Sequence, residues 1–324
     1  MTQWPDVAVI MPVLNEENYL RAAVQAILDQ NYPGAMSIAL AVGPSKDRTQ
    51  QVADELADRD SRIVVVANPS GRTPDGLNAA IAATTQEIVV RVDAHCELSE
   101  KYIETAIETL NRTGADNVGG VMAAVGQTPF EESVAAAMRS RLGVGAAAFH
   151  TGGSEGPADS VYLGVFRRSA LKRVGGYDPH FTRAQDWEMN FRIRQTGGTV
   201  WFNPALDVTY RPRPTLRKLA KQYFEYGLWR REVMRTHPET TSVKSALRYF
   251  VPPLAVVGTL AGLALGACGF KWAYVLPAGY LAIEAVASFS LFRSAKRGWF
   301  YVPLVLLTMH WSWGTGFIVS RSKR

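Results

Sequence analysis

The sequence predicts an α/β domain with a mainly parallel sheet and helices on both faces, followed by an amphipathic segment and C-terminal transmembrane helices. From Val7 to about Leu206, short apolar runs alternate with amphipathic stretches, as expected for strands joined by crossover helices. After residue 248, three long apolar runs follow one another. The 324 residues are therefore expected to divide into segments 1–210, 211–248 and 249–324.

Five short apolar runs are predicted to be strands, mostly buried on both faces: 7–13, 37–43, 62–68, 87–93 and 117–125. The amphipathic stretches between them predict helices over 16–30, 47–60, 75–85 and 99–114, the last with Ser99 as N-cap and Gly114 as its stop. In such folds ligands bind at the carboxyl ends of the strands, so the loops after residues 13, 43, 68 and 93 are expected to hold the chemistry.

The charge is distributed unevenly along the chain. Segment 1–210 has a net charge of −7, segment 211–248 of +7 and segment 249–324 of +6. An acidic main domain argues against nucleic-acid binding. A basic block directly before the apolar region is typical of a segment resting on an anionic membrane surface.

Cysteine content and the N-terminus indicate a cytosolic location for the main domain. The two cysteines, Cys96 and Cys268, lie in segments of different character, so a disulfide framework is not expected and a reducing compartment fits. The first residues lack the basic and long apolar regions of a cleaved secretory signal.

The three apolar runs, 249–270, 272–292 and 299–320, each have about the 20 residues needed to cross a bilayer. Trp and Tyr near their ends favour membrane spans over the alternative of buried core helices. The basic linker 293–298 is expected in the cytosol, so the first span leads out and the second returns. A third full span would place the basic residues Arg321, Lys323 and Arg324 outside, against the tendency of basic residues to stay in the cytosol. The third run could therefore be a span, a re-entrant segment or an interfacial helix.

Two acidic motifs are candidates for chemistry. Asp93 ends a predicted strand and His95 follows two residues later, so the two could hold a divalent cation against phosphate oxygens; the alternative is an ordinary turn. Asp186 stands at the start of the predicted helix in 185–197, where it could face a cleft or simply cap the helix.

Taken in order, six motifs resemble those of the family 2 inverting glycosyltransferases, which have the GT-A fold, a Rossmann-like α/β fold. The motifs are VAVIMPVLNEENYL (7–20), GPSKDRT (43–49), NPSGRTPDGLNAAI (68–81), VDAH (92–95), GVFRRSALKRVGGYDPHF (164–181) and QDWEMNFRIRQTG (185–197). The resemblance covers about residues 5–240, and with three C-terminal spans the chain is most similar to the succinoglycan-biosynthesis type of bacterial transferase.

The resemblance implies a role for each candidate residue. Asp186 is the expected catalytic base, and Asp93 is the expected ligand of Mn²⁺ or Mg²⁺. His95 is a second metal ligand, a donor to a phosphate, or neither; as a ligand, its imidazole favours Mn²⁺. Arg167 and Arg168 could face the diphosphate or solvent. The expected donor-binding residues are Pro12, Asn15, Glu16, Arg72, Asn78, Arg91 and Asp93, and the expected acceptor-binding residues are Gln185, Trp187, Gln222 and Arg230.

The chain also departs from the family pattern. Gly43 and Pro44 replace the aspartate that commonly reads uracil, His95 replaces the second aspartate of D-x-D, and Gln185 replaces a glutamate. Residues 222–230 replace the Q-x-x-R-W motif of processive synthases, which favours a single transfer.

Segment 211–235 is predicted to be an amphipathic helix on the membrane surface, whose basic face could bind a polyprenyl diphosphate. The alternative is a helix that merely packs on the main domain. The prediction rests on the helical spacing of Leu216, Leu219, Tyr223, Tyr226 and Trp229 or Arg230.

The resemblance implies a metal-dependent inverting hexosyltransferase in the inner membrane, multi-pass, with its catalytic domain in the cytoplasm. It would move a sugar from a nucleoside-diphosphate sugar, expected to be a UDP-sugar, to a polyprenyl-linked saccharide for envelope or exopolysaccharide synthesis. One alternative is a polyprenyl-monophosphate sugar synthase. An inactive membrane scaffold is disfavoured because Asp93 and Asp186 are both present, and a nicotinamide-binding domain because no G-x-G-x-x-G follows the first strand.

Overall fold

The computed structural model describes residues 4–145, 147–240 and 243–321. These form two compact units, one from residues 1–123 and 152–210 and one from residues 124–151 and 211–324. Segment 124–151 thus groups with the C-terminal residues, which the sequence pattern did not indicate. Of the predicted basic segment and basic tail, residues 241–242, Lys323 and Arg324 lie outside the described residues.

Nine strands form one mixed sheet in the order β3-β2-β1-β4-β8-β6-β9-β5, with β7 paired to β9. The strands are β1 (Val7–Val13), β2 (Met36–Val42), β3 (Ile63–Ala67), β4 (Ile88–Arg91), β5 (Glu97–Leu98), β6 (Asn117–Ala124), β7 (Gly156–Pro157), β8 (Tyr162–Arg167) and β9 (Val200–Tyr210).

The predicted α/β sheet is confirmed, and its parallel part is β3-β2-β1-β4. All five predicted strands are present, with bounds shifted by a few residues. Beyond β4 the pairs β4–β8, β6–β8, β5–β9 and β7–β9 are antiparallel, so this half of the sheet differs from the mainly parallel expectation. The carboxyl ends of the four parallel strands lie at one edge, as expected from their shared direction.

Thirteen α-helices lie in the described residues. They are α1 (Leu20–Leu28), α2 (Thr49–Arg59), α3 (Thr73–Ala82), α4 (Tyr102–Thr113), α5 (Pro129–Met138), α6 (Arg141–Val144), α7 (Ala148–Thr151), α8 (Arg168–Val174), α9 (Gln185–Gln195), α10 (Leu216–Thr236), α11 (Val243–Ala267), α12 (Val275–Ser290) and α13 (Val302–Val319).

The two ends of α4 test the helix start and stop predicted from the sequence. Gly114 follows the helix in the left-handed region, at φ +69°, as predicted for a helix stop. The prediction of Ser99 as N-cap is wrong, because the helix begins at Tyr102 and Lys101 occupies the cap position. The Ser99 carbonyl instead accepts a hydrogen bond from the Tyr102 amide.

In the C-terminal unit, three helical stretches are long and apolar enough to cross a membrane: Tyr249–Ala267, Lys271–Ser290 and Lys296–Val319. The predicted amphipathic helix exists as α10, and it packs along α13. Its buried residues include Leu219, Tyr223 and Trp229, whereas Leu216 and Tyr226 are exposed. The predicted apolar stripe of α10 is therefore buried only in part.

Candidate active site

Arg91, the last residue of β4, is the centre of the site. Its side chain is only 2% exposed, and its guanidinium forms an ion pair with Asp186 and a second one with Asp93, at 3.0 Å between Nη2 and Oδ1. The Tyr177 ring lies 5.9 Å from the same guanidinium. A buried arginine charge is tolerated only when it is paired, and here the partners are the two carboxylates singled out from the sequence.

The expectation that Arg91 binds the donor stays a prediction, and its position gives it another role. The side chain is buried and both of its ion-pair partners are protein carboxylates. We therefore assign Arg91 to positioning, because it holds Asp93 and Asp186 at one point of the sheet edge.

Asp93 lies directly after β4 and keeps 20% of its side chain exposed. Burial alone would raise the pKa of Asp93, but the nearby charges of Arg91 and His95 outweigh burial and lower the pKa below its ordinary value. The carboxylate is thus ionised at neutral pH, the form that binds a cation.

Asp186 lies in the first turn of α9, with 27% of its side chain exposed. The helix is entered through Ala184, which has a φ of +59°, a conformation that is uncommon for a residue with a side chain. A carboxylate in the first turn is favoured by the helix dipole, so Asp186 also fits the capping alternative electrostatically. A residue that only caps the helix would not need the ion pair that Asp186 forms with the buried Arg91.

His95 follows β4 and faces Glu16, which belongs to the loop after β1. The distance between His95 Nδ1 and Glu16 Oε1 is 3.1 Å. In the tautomer that carries the proton on Nδ1, the ring donates to this carboxylate, and Nε2 then has the lone pair that a metal needs. The Tyr210 ring lies 6.4 Å from the His95 ring. Glu16, expected near the donor, thus has a second role that the sequence alone did not indicate.

A carboxylate oxygen and an imidazole nitrogen fit a divalent transition ion such as Mn²⁺. The ligand atoms of Asp93, His95 and Cys96 all lie within 4.8 Å of one another. Cys96 does not fit as a ligand, because burial raises the pKa of its thiol and its sulfur lies 3.1 Å from the Tyr162 hydroxyl. The residues that would hold the cation are therefore Asp93 and His95.

The loops after β1 and β2 hold each other through short polar contacts. The amide of Asn15 donates to the Ser45 hydroxyl, its side-chain oxygen accepts from the Lys46 amide, and the Glu16 amide donates to the Thr49 hydroxyl. Asn15 has a φ of +56°, which asparagine tolerates better than most residues. Pro12 lies within β1 at the approach to this loop. These contacts fix the backbone that presents Glu16.

Two residues expected at the donor have other partners. Both polar atoms of the Asn78 amide bind the Tyr177 backbone, at 2.7 and 2.8 Å. Arg72 is half exposed and pairs with Asp75 at 2.7 Å. Asn78 therefore clamps two segments of the unit together, and the structure gives its donor role no support.

Arg167 and Arg168 lie at the opposite edge of the sheet, because Arg167 is level with Ile88 at the start of β4. Arg167 donates to the carbonyls of Leu110 and Ala115, and Arg168 to those of Ile81 and Gln86. Both guanidiniums therefore satisfy backbone carbonyls, and the alternative that they face a diphosphate is wrong.

The four acceptor candidates fall in both units. Gln185 and Trp187 flank Asp186 in α9, and the Trp187 ring stacks on Phe191 with centroids 5.6 Å apart. Gln222 and Arg230 belong to α10 in the C-terminal unit. Gln222 donates to the Tyr226 hydroxyl at 2.9 Å, and the Arg230 guanidinium lies 4.4 Å from the centre of the Tyr249 ring. Their role toward an acceptor stays a prediction.

Sequence comparison places these elements among known proteins. The profile of glycosyl transferase family 2 matches residues 8–175. The chain is 29% identical over 314 residues to the succinoglycan biosynthesis protein ExoA of Rhizobium meliloti (strain 1021), covering 95% of this chain and 93% of that protein. It is also 24% identical over 231 residues to a dolichyl N-acetyl-alpha-D-glucosaminyl phosphate 3-beta-D-2,3-diacetamido-2,3-dideoxy-beta-D-glucuronosyltransferase of Methanococcus voltae, covering 68% of this chain and 71% of that protein.

Among solved structures, the mannosyltransferase PcManGT from Pyrobaculum calidifontis, in complex with GDP-Man and Mn²⁺, is similar with a TM-score of 0.57. The sequence identity is 21%, over 95% of this chain and 86% of that one. A likeness at this identity shows the fold, and with the family match it confirms the predicted GT-A architecture.

Proposed function

The chain belongs to glycosyl transferase family 2. We propose that it moves a hexose from a nucleoside-diphosphate sugar to a polyprenyl-linked saccharide, with inversion at the anomeric carbon. The main observation behind the proposal is that the Arg91 side chain forms ion pairs with two carboxylates. One buried guanidinium holds Asp93, suited to the diphosphate side, and Asp186, suited to the acceptor side.

In the proposed reaction, the Asp186 carboxylate takes the proton of the acceptor hydroxyl. The acceptor oxygen bonds to the anomeric carbon from the face opposite the diphosphate, and the bond from that carbon to the diphosphate oxygen breaks. A sugar hydroxyl is a weak nucleophile, so a base close to the reacting atoms lowers the barrier. Asp93 and His95 would hold a divalent cation, which would neutralise charge on the leaving diphosphate.

The proposed donor is a nucleotide sugar, with a UDP-sugar as the first candidate. Gly43 and Pro44 stand where a uracil-reading aspartate is common in the family, so the loop itself does not favour uracil. The similar Pyrobaculum structure contains GDP-Man, which makes GDP-sugars the second group to test.

The proposed acceptor is lipid-linked and serves synthesis of an envelope glycan or exopolysaccharide. This proposal is supported by similarity to a succinoglycan biosynthesis protein and to a transferase whose name specifies a dolichyl-linked acceptor. The apolar helices of the C-terminal unit also suit a protein that meets its acceptor at a membrane. We propose the inner membrane as its location, with the catalytic unit on the cytoplasmic side, because the linker 293–298 is basic.

The experiment is a donor panel with the purified full chain in detergent. UDP- and GDP-sugars are each incubated with Mn²⁺, Mg²⁺ or a chelator, together with a polyprenyl-linked saccharide extract or polyprenyl monophosphate. Metal-dependent consumption of one donor with a new glycolipid from the saccharide extract supports the proposal. Product from polyprenyl monophosphate alone would instead identify a polyprenyl-monophosphate sugar synthase, and absence of both donor binding and turnover would contradict a transferase.

A further inference from the structure

The third apolar helix, α13, and the turn Lys296–Tyr301 before it contact parts of the chain that precede the first apolar helix. At the start of this stretch, the Arg297 guanidinium binds the Glu132 carboxylate at 2.8 Å. Near its middle, His310 Nε2 lies 2.8 Å from the Leu142 carbonyl oxygen. All these residues belong to the C-terminal unit, in which segment 124–151 packs with residues 211–324.

The end of α13 is held by α10. Arg231 donates to the carbonyls of Phe317 and Ile318, at 2.9 and 2.6 Å, and Arg235 donates to the Ser320 carbonyl at 2.7 Å. The last carbonyls of a helix have no donor within the helix, so these two arginines satisfy groups that would otherwise need water. The C-terminal end of α13 is thus hydrogen-bonded to α10, which is itself strongly basic.

The positions of these partners along the chain indicate on which side of a membrane they lie. Glu132, Leu142 and α10 all precede Tyr249, and within the described residues every candidate span begins at or after Tyr249. Segments that no span separates lie on the same side of a membrane. The partners of α13 at its start, middle and end therefore share one side.

A spanning α13 is incompatible with this arrangement. The stretch Lys296–Val319 has 24 residues, of which the 18 of α13 alone give about 27 Å of α-helix. A crossing would therefore put the two ends of the stretch on opposite faces of about 30 Å of hydrocarbon. Arg297 and the carbonyl of Ser320 would then have partners on opposite sides. Those partners, Glu132 and Arg235, are on the same side.

The other two apolar helices differ from α13 in exposure. In α12 the side chains of Ile283, Val286 and Phe289 are 64%, 70% and 83% exposed, as lipid-facing residues would be. The share of buried residues is 28% in the apolar stretch of α11 and 22% in that of α12, against 39% in that of α13. The two pack as a hairpin, with Gly266 of α11 close to the Tyr274 ring.

We propose that the chain crosses the membrane twice, through α11 and α12, and that α13 lies along the membrane surface as the partner of α10, on the side of the catalytic unit. The partner of this paired surface is the anionic face of the bilayer. Exposed cations of α10 suit lipid headgroups, and exposed Leu304, Ile318 and Val319 of α13 suit the acyl boundary. The cations are Arg217, Lys218 and Lys221.

This arrangement also explains two features of the sequence. It keeps Arg321 on the catalytic side, in agreement with the positive-inside tendency. It further keeps His310 on the catalytic side, because His310 also reaches Leu142, whereas its partner Glu284, 2.6 Å away, lies in α12 six residues before the end of that helix. The pair is thus displaced toward the catalytic side of the bilayer, where an ionisable pair is less costly than at the centre.

The test compares the sides of Cys268 and the end of α13 in the full chain. Cys268 is exposed and directly follows α11, whereas Cys96 is buried. A membrane-impermeant maleimide is applied to spheroplasts and to inverted vesicles containing wild-type protein, Cys268→Ser as the blank, or Cys268→Ser with Arg321→Cys. A fourth variant, Cys268→Ser with Gln50→Cys, marks the side of the catalytic unit through an exposed residue near the start of α2.

The proposal predicts that wild-type Cys268 and the Arg321→Cys variant are labelled in opposite preparations, and that Arg321→Cys follows Gln50→Cys. Labelling of Arg321→Cys in the same preparation as Cys268 would overturn it, since a third span puts both on one side. The comparison does not depend on transfer of any sugar, so it can fail while the proposed function stands.

Discussion

At the scale of single residues, the site depends on an arginine inside a strand that is otherwise apolar. Arg91 ends β4, whose other residues are Ile88, Val89 and Val90, and it is as buried as they are. Its charge is compensated by Asp93 and Asp186. The same contact that makes the buried charge tolerable also sets the spacing of the proposed diphosphate-side and acceptor-side groups.

We predict that Arg91→Met lowers the free energy of unfolding by about 3–5 kcal/mol, because it leaves two carboxylates without their shared cation. Chemical denaturation of the detergent-solubilised chain measures the change. The matched control is Arg72→Met, which removes a half-exposed arginine paired with Asp75 and should cost at most about 1 kcal/mol. Equal losses for the two variants would contradict the structural role of Arg91.

Glu16 is predicted to hold His95 in the tautomer that binds a metal. Glu16→Ala should weaken Mn²⁺ binding by about 10–100-fold, the effect typical of losing an outer partner of a metal-ligating histidine. Titration of free Mn²⁺ by electron paramagnetic resonance measures this without any turnover. Glu17→Ala is the control, because the Glu17 carboxylate accepts from the Arg48 amide instead, and an equal loss in both variants would refute a specific role of Glu16.

The identities of Asp93, His95 and Asp186 as candidates could be read from the sequence because each belongs to a short local motif. Their arrangement could not, since Asp186 reaches β4 only through the tertiary fold. One signal was available: an arginine within the apolar run 87–93 requires a buried partner. The pairing of His95 with Glu16 had no local signal, because these residues are 79 positions apart.

At the scale of elements, continuous apolar runs predicted the parallel strands correctly, because strands buried on both faces need apolar residues at every position. Strands β8 and β9 were not predicted as strands. β8 has a glycine at position 164 and ends in an arginine, and β9 contains a proline, so neither has the pattern of a buried parallel strand. Their antiparallel pairing is a property of the assembled sheet.

The contact of α10 with α13 requires glycine at two points. A Cβ on Gly227 would lie 1.9 Å from the Trp313 carbonyl oxygen, and one on Gly316 would lie 2.1 Å from that of Phe224. The backbones therefore approach too closely for any side chain. This explains why α10 contains a glycine despite its cost in a helix.

We predict that Gly227→Ala lowers the free energy of unfolding by at least about 1–3 kcal/mol, the usual cost of overpacking. Gly258→Ala in α11 is the control, because nothing lies within 4 Å of its added Cβ. The control should be neutral or stabilise the helix by up to about 1 kcal/mol. Thermal unfolding in detergent compares the two, and a harmless Gly227→Ala would refute the close contact.

At the scale of the whole molecule, the distribution of charge and hydropathy assigns different tasks to different parts of the chain. Segment 1–210 is acidic and supplies the sheet edge with its carboxylates, whereas the segments after it are basic and apolar. The basic excess thus lies directly before and within the apolar region, where anionic lipid would attract it in a membrane protein. The division into segments 1–210, 211–248 and 249–324 stays a prediction, and the sequence did not indicate that segment 124–151 groups with residues 211–324.

The proposed transfer of a sugar needs Asp186 as the base, and Asp186→Asn removes the proton acceptor while keeping the size of the side chain. Donor binding by calorimetry and single-turnover transfer of a radiolabelled sugar are measured side by side on wild type and variant. We predict donor affinity within about threefold of wild type and a rate of transfer lower by at least about 100-fold, as expected for loss of a general base. Near-normal transfer by Asp186→Asn would show that another group accepts the proton.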